Sequence, residues 1–72
     1  MKKIKKIKIK LNGKIKSIFQ DSKLSELLKL HNIPLKKVAI ELNSEIIDKK
    51  KINKIKLKQN DKIEIVHFIG GG

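Results

Sequence analysis

The chain of 72 residues contains no cysteine, no arginine, no tryptophan and no tyrosine. Without cysteine there is no disulfide framework, no thiolate nucleophile and no zinc-knuckle spacing, and a cysteine-free small chain fits the cytosol. All 19 basic residues are lysines, so the planar fork that reads phosphates and bases bidentately is missing. Only Phe19 and Phe68 could stack on a base. No apolar run approaches the length of a membrane span. The lysine-rich start lacks the uninterrupted apolar core of a signal peptide. The one proline is Pro34, and glycine occurs at two places only: Gly13, and Gly70-Gly71-Gly72 at the end.

What is present begins with charge. The net charge of +12 suggests a polyanion partner. Its composition argues the other way, because lysine, isoleucine and asparagine are in excess together, the mark an AT-rich coding sequence leaves on any protein. The charge therefore reads mainly as a solvated face. A small basic nucleic-acid-binding module stays open as the disfavoured alternative.

A chain of this size makes one domain, 1–72. It buries roughly 60% of its unfolded surface, enough for one thin core and no enclosed catalytic cleft. After a basic lead-in, Ile7, Ile9 and Leu11 alternate with Lys8 and Lys10, the period of a half-buried strand. Asn12-Gly13 is a strong hairpin signal, since both residues tolerate positive φ. Lys14 to Phe19 returns as the second strand. Asp21-Ser22 reads as a helix start, and Leu24, Leu27, Leu28 and His31 fall on one helical face. Asn32-Ile33-Pro34 is expected to end it, with His31 at the helix end as a cap or core edge, and no ligand spacing makes it a metal site. Val38, Ile40 and Leu42 mark a third strand, Asn43-Ser44 a turn, and Glu45-Ile46-Ile47 a short partner strand. Residues 48–58 are polar, anchored by Ile52, Ile55 and Leu57, with room for one helical turn. Gln59-Asn60-Asp61 turns into the last strand, Lys62 to Phe68. The order β-β-α-β-β-β implies an α+β domain with one helix on one sheet face.

No catalytic constellation is present. The seven acids are scattered, the serines lie in turns or at the helix start, and His67 would need a pocket that this size does not supply. The group with the best claim to chemistry is the carboxylate of Gly72. Three terminal glycines after a strand make a thin, flexible arm that fits channels closed to other residues. Backbone N–H nests can hold its end. A phosphate loop is excluded, because nothing follows the glycines to supply Lys and Ser/Thr. A carboxylate resists nucleophiles until it is given a better leaving group, most simply as an acyl-adenylate. The chain is then a substrate or carrier and not an enzyme. If Ile63 and Ile65 face the helix, Glu64, Val66 and Phe68 face the open side of the sheet, and Val66, Phe68 and Ile69 form an apolar partner surface leading to the arm.

The order of elements, the length and the glycines resemble the β-grasp, ubiquitin-like fold. Several segments are similar to the ThiS family of sulfur carriers in thiamine biosynthesis. These are Leu11-Asn12-Gly13, Leu24-Ser25-Glu26-Leu27-Leu28, Val38-Ala39-Ile40-Glu41-Leu42-Asn43 with Glu45-Ile46-Ile47, and, most specifically, Asp61 through Gly72. The resemblance implies that a ThiF-type adenylyltransferase spends ATP to adenylate Gly72. Sulfur drawn from cysteine then makes a thiocarboxylate, and thiazole synthase (ThiG) takes the sulfur. It implies Gly71-Gly72 as the terminal pair, Gly70 as spacer, no bound cofactor, no membrane, and a cytoplasmic protein. A molybdopterin-type carrier, whose tail usually carries prolines absent here, and a ubiquitin-like protein modifier remain the alternatives. Family members commonly have glycine where this chain has Ser44, which leaves the type of that turn open.

Overall fold

The computed structural model describes residues 5–68, so the first four residues, Ile69 and the arm Gly70–Gly72 lie outside the described residues. Five strands form one mixed sheet in the order β2-β1-β5-β3-β4, where β1 is Lys6–Leu11, β2 Lys14–Phe19, β3 Val38–Leu42, β4 Glu45–Ile46 and β5 Lys62–His67. One helix, α1 (Leu24–Leu30), follows β2. The expected element order is the observed one, and β5 ends one residue sooner than the apolar pattern suggests.

The core lies between α1 and one face of the sheet. Leu24, Leu27 and Leu28 meet Ile9, Leu11, Val38, Ile40, Ile63 and Ile65, and Ile52 and Leu57 close the side. Seven residues are too few for a helix to be stable alone. Neighbouring chain holds it instead. The Leu24 N–H donates to the Ile55 carbonyl at 2.8 Å, and the Leu57 N–H to the Ser22 carbonyl at 2.8 Å.

The helix start differs from the expectation. The N-cap is Lys23, whose backbone N–H donates to the Glu26 carboxylate at 2.8 Å. Asp21 sits at φ 67 in the preceding turn, and the Ser22 hydroxyl donates back to the Phe19 carbonyl at 2.7 Å. The Ser22 hydroxyl is thus engaged in leaving β2, and Asp21 belongs to the turn and not to the first helical turn. The helix also stops before Pro34 acts on it. Asn32, at φ 53, takes the left-handed position after the C-cap His31. The Ile33 N–H then donates to Leu28 O at 3.0 Å and the Asn32 N–H to Lys29 O at 3.1 Å, the paired bonds of a Schellman stop.

Residues 48–58 carry a 3₁₀ helix, Lys49–Lys54, opened by Asp48, whose carboxylate accepts the Lys50 N–H at 2.9 Å. Ile52 and Leu57 are buried as expected. A second 3₁₀ turn, Leu35–Lys37, has no apolar signature in the sequence. Both hairpin turns are left-handed at both central residues: Asn12 and Gly13 at φ 50 and 81, Asn43 and Ser44 at φ 52 and 73. This is the primed geometry that matches strand twist, and Ser44 adopts it without being glycine.

Candidate functional site: the end of the central strand

β5 is the middle strand, so whatever follows it leaves from the centre of the sheet. On one side it runs parallel to β1, with Lys10 beside Lys62 and Leu11 beside Ile63. On the other it runs antiparallel to β3, from Leu42 beside Ile63 to Val38 beside His67. β1 turns away at Asn12, while β5 continues to His67. The last described link is the Phe68 N–H, donating to the Lys37 carbonyl at 2.9 Å.

Alternation along β5 separates two faces. Ile63 and Ile65 are 0% and 7% exposed, packed under the helix, whereas Val66 and Phe68 are 50% and 49% exposed. Val66 lies opposite Ala39 of β3, and the Phe68 ring lies under the Lys49 ammonium, 5.4 Å from ring centroid to Nζ. Lys49 also donates to the Leu35 carbonyl, which holds the ammonium over this edge. Beside Val66, Glu64 faces Glu41 across the strands, and the exposed Ile46 pairs with Glu41. Farther along the same open face stand Lys6, Lys8 and Lys10 of β1, opposite Phe19, Ser17 and Ile15. Thus an apolar end with the Lys49 ammonium at its edge lies nearest the arm, the acidic Glu41–Glu64 pair sits mid-strand, and the lysines of β1 lie farther away.

Two loops hold the strand in place. Asn43 accepts the Lys62 N–H at 2.9 Å through Oδ1 and donates to the Asp61 carboxylate at 3.0 Å. Asn12 accepts the Ile65 N–H through Oδ1 at 2.7 Å. In the sequence both asparagines read only as turn formers, and nothing in their spacing signals these longer-range bonds. Lys49 over Phe68 was likewise invisible, because it comes from the polar stretch that periodicity could not assign. Of the residues expected to carry function, Val66 and Phe68 lie at this end, and Ile69, Gly70, Gly71 and Gly72 lie outside the described residues. His31 is the helix C-cap, and among the described residues no group of His, Asp or Glu is placed to hold a metal ion.

A five-stranded mixed sheet with its first and last strands parallel at the centre, and one helix across a single face, is a β-grasp domain. A model of the ThiS family matches residues 9–72, and the chain belongs to that family. It is 40% identical over 65 residues to the sulfur carrier protein ThiS of Bacillus subtilis, covering 89% of this chain and 98% of that one. It is 36% identical over 66 residues to a thiazole synthase of Magnetococcus marinus, where the match takes 92% of this chain but only 20% of the relative's length. Among solved structures, the thiamine biosynthesis protein ThiS of Geobacter metallireducens superposes with a TM-score of 0.80 at 26% identity, over 92% of this chain and all of that one.

Proposed function

We infer that this chain is a sulfur carrier for thiazole formation in thiamine biosynthesis, acted on by enzymes and not itself a catalyst. One observation carries the reading. The family match extends through the glycine arm to Gly72, on a chain that covers nearly the whole of a sulfur carrier relative. The order of events follows from carboxylate chemistry. An oxygen of the Gly72 carboxylate attacks the α-phosphorus of ATP in a ThiF-type partner, and pyrophosphate leaves. A sulfur nucleophile, its sulfur originating from cysteine, then attacks the acyl carbon, and AMP leaves. Sulfur delivered as sulfide leaves the terminal thiocarboxylate directly. Sulfur delivered as a persulfide leaves an acyl disulfide that a second thiol cleaves, taking the donor sulfur as a disulfide and releasing the thiocarboxylate. Thiazole synthase then draws that sulfur into the ring.

Thiazole synthase as acceptor is supported by relatives of that name in which a stretch similar to this chain forms about a fifth of the polypeptide. Val66 and Phe68 provide an exposed apolar approach to the arm, and in the sequence the apolar Ile69 stands between them and Gly70, Gly71 and Gly72. No cofactor is held by the chain, and ATP is consumed by the activating partner. Among the described residues no helix is long and apolar enough to cross a membrane, and the setting we propose is the cytoplasm.

The test is ATP–pyrophosphate exchange with the cognate activating enzyme. Deleting Gly72 shortens the arm by roughly 3.3–3.6 Å. Displacing a reacting group by about 1 Å can cost on the order of a hundredfold in rate. Exchange should therefore collapse, while circular dichroism stays that of the parent. An alanine added after Gly72 should act alike. Parent-level exchange by both would remove Gly72 from the chemistry.

A further inference from the structure

We propose that Asn12 is a positioning residue for the reaction at the arm, acting through β5. This rests on the reading of Gly72 as the reactive terminus. In a parallel ladder the strand beside β5 would offer a backbone carbonyl to every second N–H. The bonds in the other direction are normal, with the Lys10 N–H donating to Asp61 O at 2.9 Å and the Asn12 N–H to Ile63 O at 2.9 Å, and they make the Asn12 carbonyl the acceptor due for the Ile65 N–H. The next acceptor is lost, because the chain turns left-handed at Asn12 and Gly13 to begin β2. The Asn12 side chain replaces it. Its Oδ1 accepts the Ile65 N–H at 2.7 Å, the one partly shielded bond among the described side-chain hydrogen bonds.

The carboxamide thus extends the parallel ladder one rung beyond the end of β1. It does so just before Val66–Phe68, where β5 otherwise keeps only β3 and the Lys37 carbonyl as backbone neighbours. A strand held on both sides leaves the sheet in a fixed direction, whereas one held on a single side can swing. The turn itself requires only a residue that accepts positive φ, which glycine satisfies as well. The side-chain oxygen is therefore separable from the turn.

Asn12→Gly keeps the turn geometry and removes the acceptor, and Asn12→Asp keeps an acceptor in the same place. Amide exchange at Ile65 reads the bond, and steady-state ATP–pyrophosphate exchange with the cognate activating enzyme reads kcat and KM apart. In Asn12→Gly, Ile65 should lose protection and kcat should fall by on the order of tenfold to a hundredfold, with KM changed little. In Asn12→Asp both should remain near the parent. Loss of protection at Ile65 with parent kcat overturns the proposal, as does retained protection in Asn12→Gly. Should Asn12→Gly lose its fold, Asn12→Ala, which also lacks the acceptor, takes its place: lost Ile65 protection with a collapsed kcat upholds the proposal, and lost protection with parent kcat overturns it. The Gly72 deletion measured alongside separates the two claims. If the deletion abolishes exchange and Asn12→Gly does not alter it, only the positioning role falls. If the deletion is silent, the reading of Gly72 falls first.

Discussion

Replacing Ile63 or Val66 with alanine tests whether β5 presents one face to the core and the other to a partner. Ile63 is fully buried between Leu11 of β1 and Leu42 of β3. Truncation there removes buried carbons from a spot closed on both sides by strands, so the cavity does not collapse easily. The expected cost is about 2–5 kcal/mol. A domain of this length has about 4–11 kcal/mol of total stability, so Ile63→Ala should lose a large part of it, and all of it where the total lies at the low end. With a urea slope of about 1 kcal/mol/M, the midpoint should drop by about 2 M or more. Val66 is half exposed and flanked by Ala39, so Val66→Ala should cost about 0.5 kcal/mol or less and move the midpoint by about 0.5 M. Urea unfolding followed by circular dichroism measures both. Equal shifts would mean that Val66 is covered, and the open-face argument would fail. If the shifts separate as expected, Val66→Asp and Phe68→Asp should weaken binding to the activating enzyme or to thiazole synthase while leaving the fold intact. Unimpaired binding by both would remove this face from the interface.

Ser44→Gly should stabilise the domain. Serine at φ 73 carries a left-handed strain of about 1–2 kcal/mol, of which glycine returns about 0.4–1 kcal/mol through its freer unfolded chain. A net gain of about 0.5 kcal/mol would raise the melting temperature by about 2–4 °C, and a fall would refute the turn assignment. Nucleic-acid binding, measured by fluorescence anisotropy across a salt series, should be weak, indifferent to sequence and lost at moderate salt. Sequence-selective binding at physiological salt would contradict the carrier reading.

The strands were legible because their apolar residues repeat every second position. Ile9 and Leu11, Val38 and Ile40, and Ile63 and Ile65 are all buried, and that same period placed Val66 and Phe68 on the opposite side. The ends of the helix were less legible. Asp21 and Ser22 are good capping residues by type, but the exit from β2 uses both, and Lys23 becomes the cap with Glu26 as its partner. Asn32-Ile33-Pro34 marked the stop, but the rule applied there was the one for the residue before proline, whereas the helix ends through the left-handed Asn32 and its backbone bonds. Residues 48–58 could not be assigned because a 3₁₀ segment has neither of the periods that apolar spacing reveals, and only Ile52 is buried within it. At the functional end, exposure was readable from alternation. The Asn12 and Asn43 bonds to β5 were not, since they join positions 53 and 19 apart in sequence.

The most direct test of the carrier reading is the intact mass of the chain after incubation with the activating enzyme, ATP and the cysteine-derived sulfur source, with fragmentation to locate any change. The expected result is a mass increase equal to the exchange of one oxygen for sulfur, confined to Gly72, dependent on ATP and abolished by deletion of that residue. An unchanged mass under conditions where a known carrier is converted, or a change placed anywhere but Gly72, would contradict it.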